Sequence, residues 1–266
     1  MKPGAHPPLG DRVLAAYFRR NWRGFWRLMS FREKKSLRAR SLYGSFFELH
    51  PQEYIDAIVL REGYYEAEVI EALRPYLRTE AVFWDVGANI GLHTVTAARL
   101  APQAQIVAFE PSPATFARLA GHVRLNGCAA DLQPIALGDR DGSATLYINT
   151  GGNAGMSSIM HPETGPGTSV RLARADTLVS AGTVPAPTVM KLDVEGAEEG
   201  VLRGFGELLE RPSLQAVVFE TTAELLADPA QCTATRRLLT AGFRIEALPR
   251  TQAAAHRLAN FLAYRP

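Results

Sequence analysis

Residues 83–100 read FWDVGANIGLHTVTAARL: an apolar run, a turn punctuated by Gly87 and Gly91, then a segment with helical spacing. The two glycines can take positive φ and let a ligand approach the backbone. A strand that turns this tightly into a helix is the building unit of open α/β sheets. Such sheets bind ligands beyond the carboxyl ends of their strands.

Outward from this unit, short apolar runs alternate with helical stretches. Strands are expected at Val82–Val86, Ile106–Phe109, Leu132–Ala136, Val189–Leu192 and Ala216–Phe219, and helices at Ala114–Leu125 and Glu198–Leu209. Alternation of this kind predicts an α/β fold with a mostly parallel sheet. One interruption, GSATLYIN (142–149), leads into TGGNAGMSSIMHPETGPGTS (150–169), a Gly-, Ser- and Pro-rich loop long enough to act as a lid. GFRIEAL (242–248) and NFLAYRP (260–266) predict an antiparallel C-terminal hairpin at the sheet edge.

The 266 residues, 47% of them hydrophobic, are enough for one main domain with an extension. Two cysteines, Cys128 and Cys232, are too few for a disulfide framework and lack zinc-site spacing. With no apolar run of about 18 residues and no signal-peptide order at the start, the expectation is a soluble, cytoplasmic protein. The net charge of +2 hides an uneven distribution, because residues 1–50 hold eleven Lys and Arg against three acids. No general nucleic-acid-binding surface follows from this. Within the basic segment, Leu14, Phe18, Trp22, Phe25 and Met29 form an apolar stripe opposite Arg20, Arg23 and Arg27. Residues 1–62 are therefore expected to be a basic amphipathic helical extension, docked as a cap or a homodimer arm, and residues 63–266 the Rossmann-like domain. Peripheral membrane contact and polyanion contact are the alternatives for the helix.

Dinucleotides and S-adenosylmethionine both use a turn of this architecture. The dinucleotide fingerprint G-x-G-x-x-G fails here, since Asn89 stands at its second glycine and no third follows at 92. Asp85 at the turn would repel a pyrophosphate and attract the ammonium of a methionine moiety. Glu110 closes the next strand in VAFEP, placed to accept hydrogen bonds from ribose hydroxyls.

These residues carry a resemblance. DVGANIG, FEPSPATF, ALGDRDGSATL, GMSSI, DTL and MKLDVEGAEEGVLRGF resemble the FkbM-type family of S-adenosylmethionine-dependent methyltransferases over about residues 63–222, with KLDVEGAE the most specific mark. GYYEAEV (63–69) is similar to the segment before that family's first strand. The resemblance implies a seven-stranded, Rossmann-like class I methyltransferase fold and O-methylation of a hydroxyl on a small metabolite, sugar or glycolipid. It implies that Asp85, Gly87, Asn89 and Gly91 line the methionine end, Glu110 the ribose, and Ala136 and Asp139 the adenine. Tyr65, Glu66, His93, Ser157 and Ser158 would face the acceptor or form its lid. His122 departs from the family's pattern, which has an asparagine there.

Val189–Leu192 is apolar enough to be buried, so Asp193 and Glu195 should emerge at the ligand end of the sheet. A neutral alcohol needs a base within hydrogen-bond reach. The candidates are Asp193 and Glu220, then Lys191 and His93. A Mg²⁺ held by Asp193, Glu195 and Glu220 is the metal alternative; no metal is expected. Competing readings are a nicotinamide-dependent oxidoreductase and a non-catalytic binding or scaffold protein of the same fold. An intact set of Asp85, Glu110 and Asp193 speaks against the scaffold, because buried acids without a duty cost desolvation energy.

Overall fold

The computed structural model of the chain describes residues 36–147, 166–222, 232–249 and 258–266. The expected helix at 12–29 and the lid residues Ser157 and Ser158 lie outside the described residues. The described chain begins with a hairpin, β1 (Leu37–Arg40) and β2 (Phe46–Leu49), followed by helices α1 (Tyr54–Glu62) and α2 (Ala67–Leu73). Then comes the alternating unit: β3 (Val82–Val86), α3 (Leu92–Leu100), β4 (Gln105–Phe109), α4 (Pro113–Asn126) and β5 (Asp131–Gln133). β6 (Ala136–Leu137), β7 (Gly142–Tyr147) and β8 (Gly167–Ala173) form a separate small sheet ordered β6-β8-β7. The chain returns through α5 (Ala175–Ser180), β9 (Val189–Leu192), α6 (Glu198–Gly204), β10 (Ala216–Thr222), α7 (Thr233–Thr240), β11 (Arg244–Ala247) and β12 (Leu258–Tyr264).

The main sheet has seven strands in the order β11-β12-β10-β9-β3-β4-β5. Its five central and outer strands β10, β9, β3, β4 and β5 run parallel, while β12 is antiparallel to both β10 and β11. Side chains alternate between two apolar layers. Trp84, Val107, Met190 and Phe219 pack with Leu202, Phe205 and Leu238 on one face. Phe83, Ile106, Val189 and Val218 pack with Ile70, Val95 and Leu119 on the other. Because both faces are covered, β3 is buried at all five positions, which is why its sequence reads as a continuous apolar run and not an alternating one.

Three local expectations need correction. The run Leu132–Ala136 is not one strand: Pro134, which has no N–H to give a ladder, separates β5 from β6, and β6 joins the small sheet. β8 already begins at Gly167, inside the stretch expected to be loop, because β7 supplies it with an antiparallel partner. Helix Glu198–Leu209 stops at Gly204 and continues as a 3-10 turn over Gly206–Glu210, with Gly206 at φ 51.

The N-terminal part also differs from a purely helical extension. Residues 37–49 are a strand pair, and Phe47, Leu49, Val59 and Leu60 share one core with Phe83, Ile106 and Leu119. No boundary at residue 62 separates them from the sheet. One stripe of α4, spaced by four residues, fastens them. Arg118 pairs with the buried Asp56 at 2.5 Å and reaches the Glu48 carbonyl at 3.2 Å. His122 donates from Nδ1 to the Ile90 carbonyl (2.8 Å) and accepts the Glu48 N–H at Nε2 (3.0 Å). Asn126 accepts the Phe46 N–H and donates to the Phe46 carbonyl, both at 2.7 Å, replacing a missing neighbour strand at the edge of β2.

Candidate active site

The topology reverses at β3. From there the chain builds outward through β4 and β5, then crosses over to β9 and β10 on the other side. A doubly wound sheet opens its ligand crevice at such a point, here between the carboxyl ends of β3 and β9. The register places two rows of side chains on one face there. The lower row is Asp85, Lys191, Val218 and Leu262, neighbours by direct pairing of β3, β9, β10 and β12. Two residues further along β3, β9 and β10, and two residues earlier in the antiparallel β12, the same face carries Gly87, Asp193, Glu220 and Asn260. The Asp193 N–H donates to the Val86 carbonyl at 3.0 Å, and Glu220 lies directly opposite Asn260.

Gly87 is required twice over. Its φ is +79°, and a Cβ there would stand 1.7 Å from the Asp193 carbonyl oxygen. Gly91, at φ +84°, would drive a Cβ to 2.5 Å from Leu119 Cδ1. Asn89 between them takes φ 51°, a left-handed conformation that asparagine tolerates better than most residues.

The turn's amide hydrogens are already engaged. Gly87 and Ala88 donate to the Phe109 carbonyl at 3.1 and 2.9 Å. Asn89 donates to Glu110 Oε2 at 2.9 Å, and Ser112 to Oε1 of the same carboxylate, also at 2.9 Å. Glu110 is thus nearly buried between two loops, and burial pushes its carboxyl up to about 7 against the pull of those two bonds.

Asp85 corrects the sequence expectation. It is fully buried beneath the turn and not at its mouth, accepting the Thr94 hydroxyl at 2.5 Å and the Thr94 backbone amide in the first turn of α3. A carboxyl group therefore already occupies the start of α3, and burial raises it above the usual carboxylate range against the pull of Lys191 and Thr94. Its Oδ1 has no hydrogen-bond partner and faces Lys191 Nζ at 3.9 Å.

Lys191 is also buried. Its ammonium donates to the Gly87 carbonyl at 3.2 Å and to Asp193 Oδ2 at 3.0 Å. Burial opposes its charge, but Asp193, Asp85 and Glu66 outweigh that and hold the lysine above its ordinary value. It stays protonated as a counter-ion, and the expectation that it serves as a base is corrected. His93 is corrected in the same way: burial first, then the Lys191 charge, takes it down to about 3, so it is neutral and a poor proton acceptor. Its ring bonds the Glu66 backbone and sits edge-on to Tyr64.

Carboxyl groups collect beside this lysine. Burial, then Asp193, raises Glu195 to about 8 and Glu66 to about 7. Burial, then Asp193 and Glu66, raises Glu220 to about 9. Tyr65 feels Glu66, Asp193 and Glu220 and so faces the same group. Glu198 has a structural duty, accepting the Val194 and Gly196 amides at 3.1 and 3.2 Å and closing the turn after β9. Among the described residues no group of three or more His, Cys, Asp or Glu side chains is arranged to hold a metal ion.

Ala136 and Asp139 are not joined to this group. Ala136 packs with Leu146, Val170 and Leu172 in the small sheet. The Asp139 carboxylate pairs with Arg203 at 3.3 Å and Arg140 at 3.6 Å. Asn260 is the residue that sequence reasoning missed. Its strand was legible, but its place in the row depends on β12 inserting between β10 and β11.

A model of the FkbM methyltransferase domain matches residues 85–245, more than half of the chain. The hexuronic acid methyltransferase of Haloferax volcanii is 32% identical over 169 residues, which is 63% of this chain and 66% of that protein. The 31-O-demethyl-FK506 methyltransferase of Streptomyces tacrolimicus is 28% identical over 173 residues, covering 54% of this chain and 66% of that one. The chain thus spans just under two thirds of the length of these relatives. Among solved structures, the Pyrococcus horikoshii protein PH0793, solved under a provisional transferase name, aligns over 95% of this chain and 84% of its own at 13% identity and a TM-score of 0.50, a likeness of fold. The family match, together with the glycine turn and KLDVEGAE run at the switch point, shows that this chain belongs to the FkbM methyltransferase family.

Proposed function

We propose that the chain transfers the methyl group of S-adenosylmethionine to a hydroxyl oxygen of a small metabolite, sugar or glycolipid. The observation that carries this reading is the engagement of the turn. With the Gly87, Ala88 and Asn89 amides bonded to β4 and Glu110, and Asp85 at the start of α3, no phosphate cradle is left for a dinucleotide. The glycine turn and the flanking acids suit a cation instead. Gly87 gives close access to the backbone, Asp193 beside it offers a negative charge, and Glu110 retains unused lone pairs for ribose hydroxyls.

The cofactor would supply an electrophilic methyl on a sulfonium. The chain's own residues would hold and deprotonate the acceptor. Asp193, pinned by Lys191 at 3.0 Å, is fixed as the countercharge of the cofactor end. Glu220, next in the row and pushed up to about 9 by burial and its neighbouring acids, would accept the hydroxyl proton of the acceptor. A cation held beside Asp193 would favour the ionised form of Glu220 and so its use as a base.

Titration calorimetry tests the reading. S-adenosylmethionine and S-adenosylhomocysteine should bind, and NAD and NADP should not. Micromolar NAD binding with no response to S-adenosylmethionine would overturn it. Incubation of the protein with methyl-labelled cofactor and cell extract should then yield a labelled ether, recognised by its resistance to mild alkali.

A further inference from the structure

Resting on the proposed methyl transfer, we infer that Glu66, Asn260 and Glu220 form an acceptor subsite that selects an uncharged polyol over an acceptor bearing a carboxylate. Asn260 stands directly opposite Glu220 on β12, so both side chains leave the same face of the sheet. Its Nδ2 donates to Glu66 Oε1 at 3.3 Å, and among the described residues its Oδ1 has no partner. Glu66 comes from elsewhere in the chain, in the left-handed region at φ 56°, ψ 54° just before α2. It holds the capping position of that helix without using its side chain as the cap. A non-glycine residue in this conformation is sparsely populated, and here it sends the carboxyl toward the sheet end instead of its own helix.

The three groups continue the row away from Gly87. Adjacent strands are about 4.8 Å apart, so Asn260 lies roughly 14 Å from the β3 turn, the distance at which a sugar-sized acceptor extends beyond a methyl donor bound there. Hydroxyls suit this wall in either protonation state, since they donate to a carboxylate and accept from a carboxylic acid. A carboxylate can only accept. It finds a donor here only in Asn260 or in an acid that carries a proton, while Asp193 and each ionised acid repel it, and the nearest cation among the described residues, Lys191, is buried and already shared by Asp85 and Asp193.

The test uses the full chain saturated with S-adenosylhomocysteine and two probes of one skeleton, methyl β-glucoside and methyl β-glucuronide, followed by saturation-transfer NMR. The glucoside should give a saturable signal and the glucuronide one at least tenfold weaker. Asn260→Ala should weaken the glucoside several-fold with S-adenosylhomocysteine affinity unchanged. Glu66→Gln should narrow the preference between the probes. The parental melting profile and cofactor affinity show that each variant is folded. Equal binding of both probes, no saturable contact with either, or a preference untouched by Glu66→Gln would overturn the subsite. Loss of cofactor binding by the parent protein would instead overturn the methyl-transfer reading, and is measured separately.

Discussion

Replacing Glu110 by Gln separates a brace from a ligand contact. The carboxylate is 8% exposed and accepts two backbone amides at 2.9 Å, yet its pKa rises from 4.5 to about 7. Each tenfold change in ionisation is about 1.4 kcal/mol, so the folded chain disfavours the charged form by about 3 kcal/mol. The folded pKa lies above the unfolded one. The associated stability is therefore complete below about pH 4.5 and lost as pH rises through about 7. Glu110→Gln removes that penalty, but its amide nitrogen must face one of the two backbone donors, leaving that donor unpaired at about 1–3 kcal/mol. At pH 8 the two terms oppose and nearly cancel. The cofactor-free variant should melt within about 5 °C of the parent at that pH and lose part of the parent's decline between pH 5 and 8. Cofactor affinity has no such compensation. Ribose hydroxyls lose a charged acceptor worth about 1.5–3 kcal/mol per bond, so S-adenosylhomocysteine should bind tenfold or more weakly. Scanning calorimetry from pH 5 to 8.5 and titration calorimetry at pH 8 measure both. Parental affinity in the variant would refute the ribose contact, and a melting loss beyond 10 °C would refute the cancellation.

Four further outcomes follow from the geometry. Gly87→Ala places a methyl 1.7 Å from the Asp193 carbonyl at a positive φ, so the end of β9 must move; a loss of at least 2 kcal/mol in denaturant unfolding is expected, with cofactor binding abolished. In single-turnover assays on the acceptor labelled in extract, Glu220→Gln should slow methyl transfer by about 10²–10⁴ with little change in cofactor affinity. Asp193→Asn should weaken S-adenosylmethionine more than S-adenosylhomocysteine, because only the former carries the sulfonium charge; equal loss for both would place Asp193 elsewhere. Asn126→Ala strands both backbone groups of Phe46 and should cost about 1–3 kcal/mol, read as faster amide exchange confined to the hairpin.

The glycine turn, Asp85 near the end of β3, Glu110 after β4, and the KLDVEGAE run were legible in the sequence because each depends on local chemistry. A positive φ demands glycine, a buried parallel strand demands an unbroken apolar run, and a strand end exposes the next polar residue. Strand alternation likewise fixed the parallel sheet and the antiparallel pair at its edge, since periodicity reports burial on one or both faces. What the local pattern does not encode is which strand neighbours which. The insertion of β12 between β10 and β11 brought Asn260 opposite Glu220, and the parallel pairing of β3 with β9 set the buried Asp85 beside Lys191 as its counter-ion. The same long-range packing gave His122 its place between Ile90 and Glu48 and made residues 37–49, for which the sequence suggested no strand, a hairpin pinned by α4. Sequence determined which side chains reach the ligand end of the sheet. The tertiary structure decided which are exposed there and which are spent on one another, because the cost of burying a charge depends on partners tens of residues away.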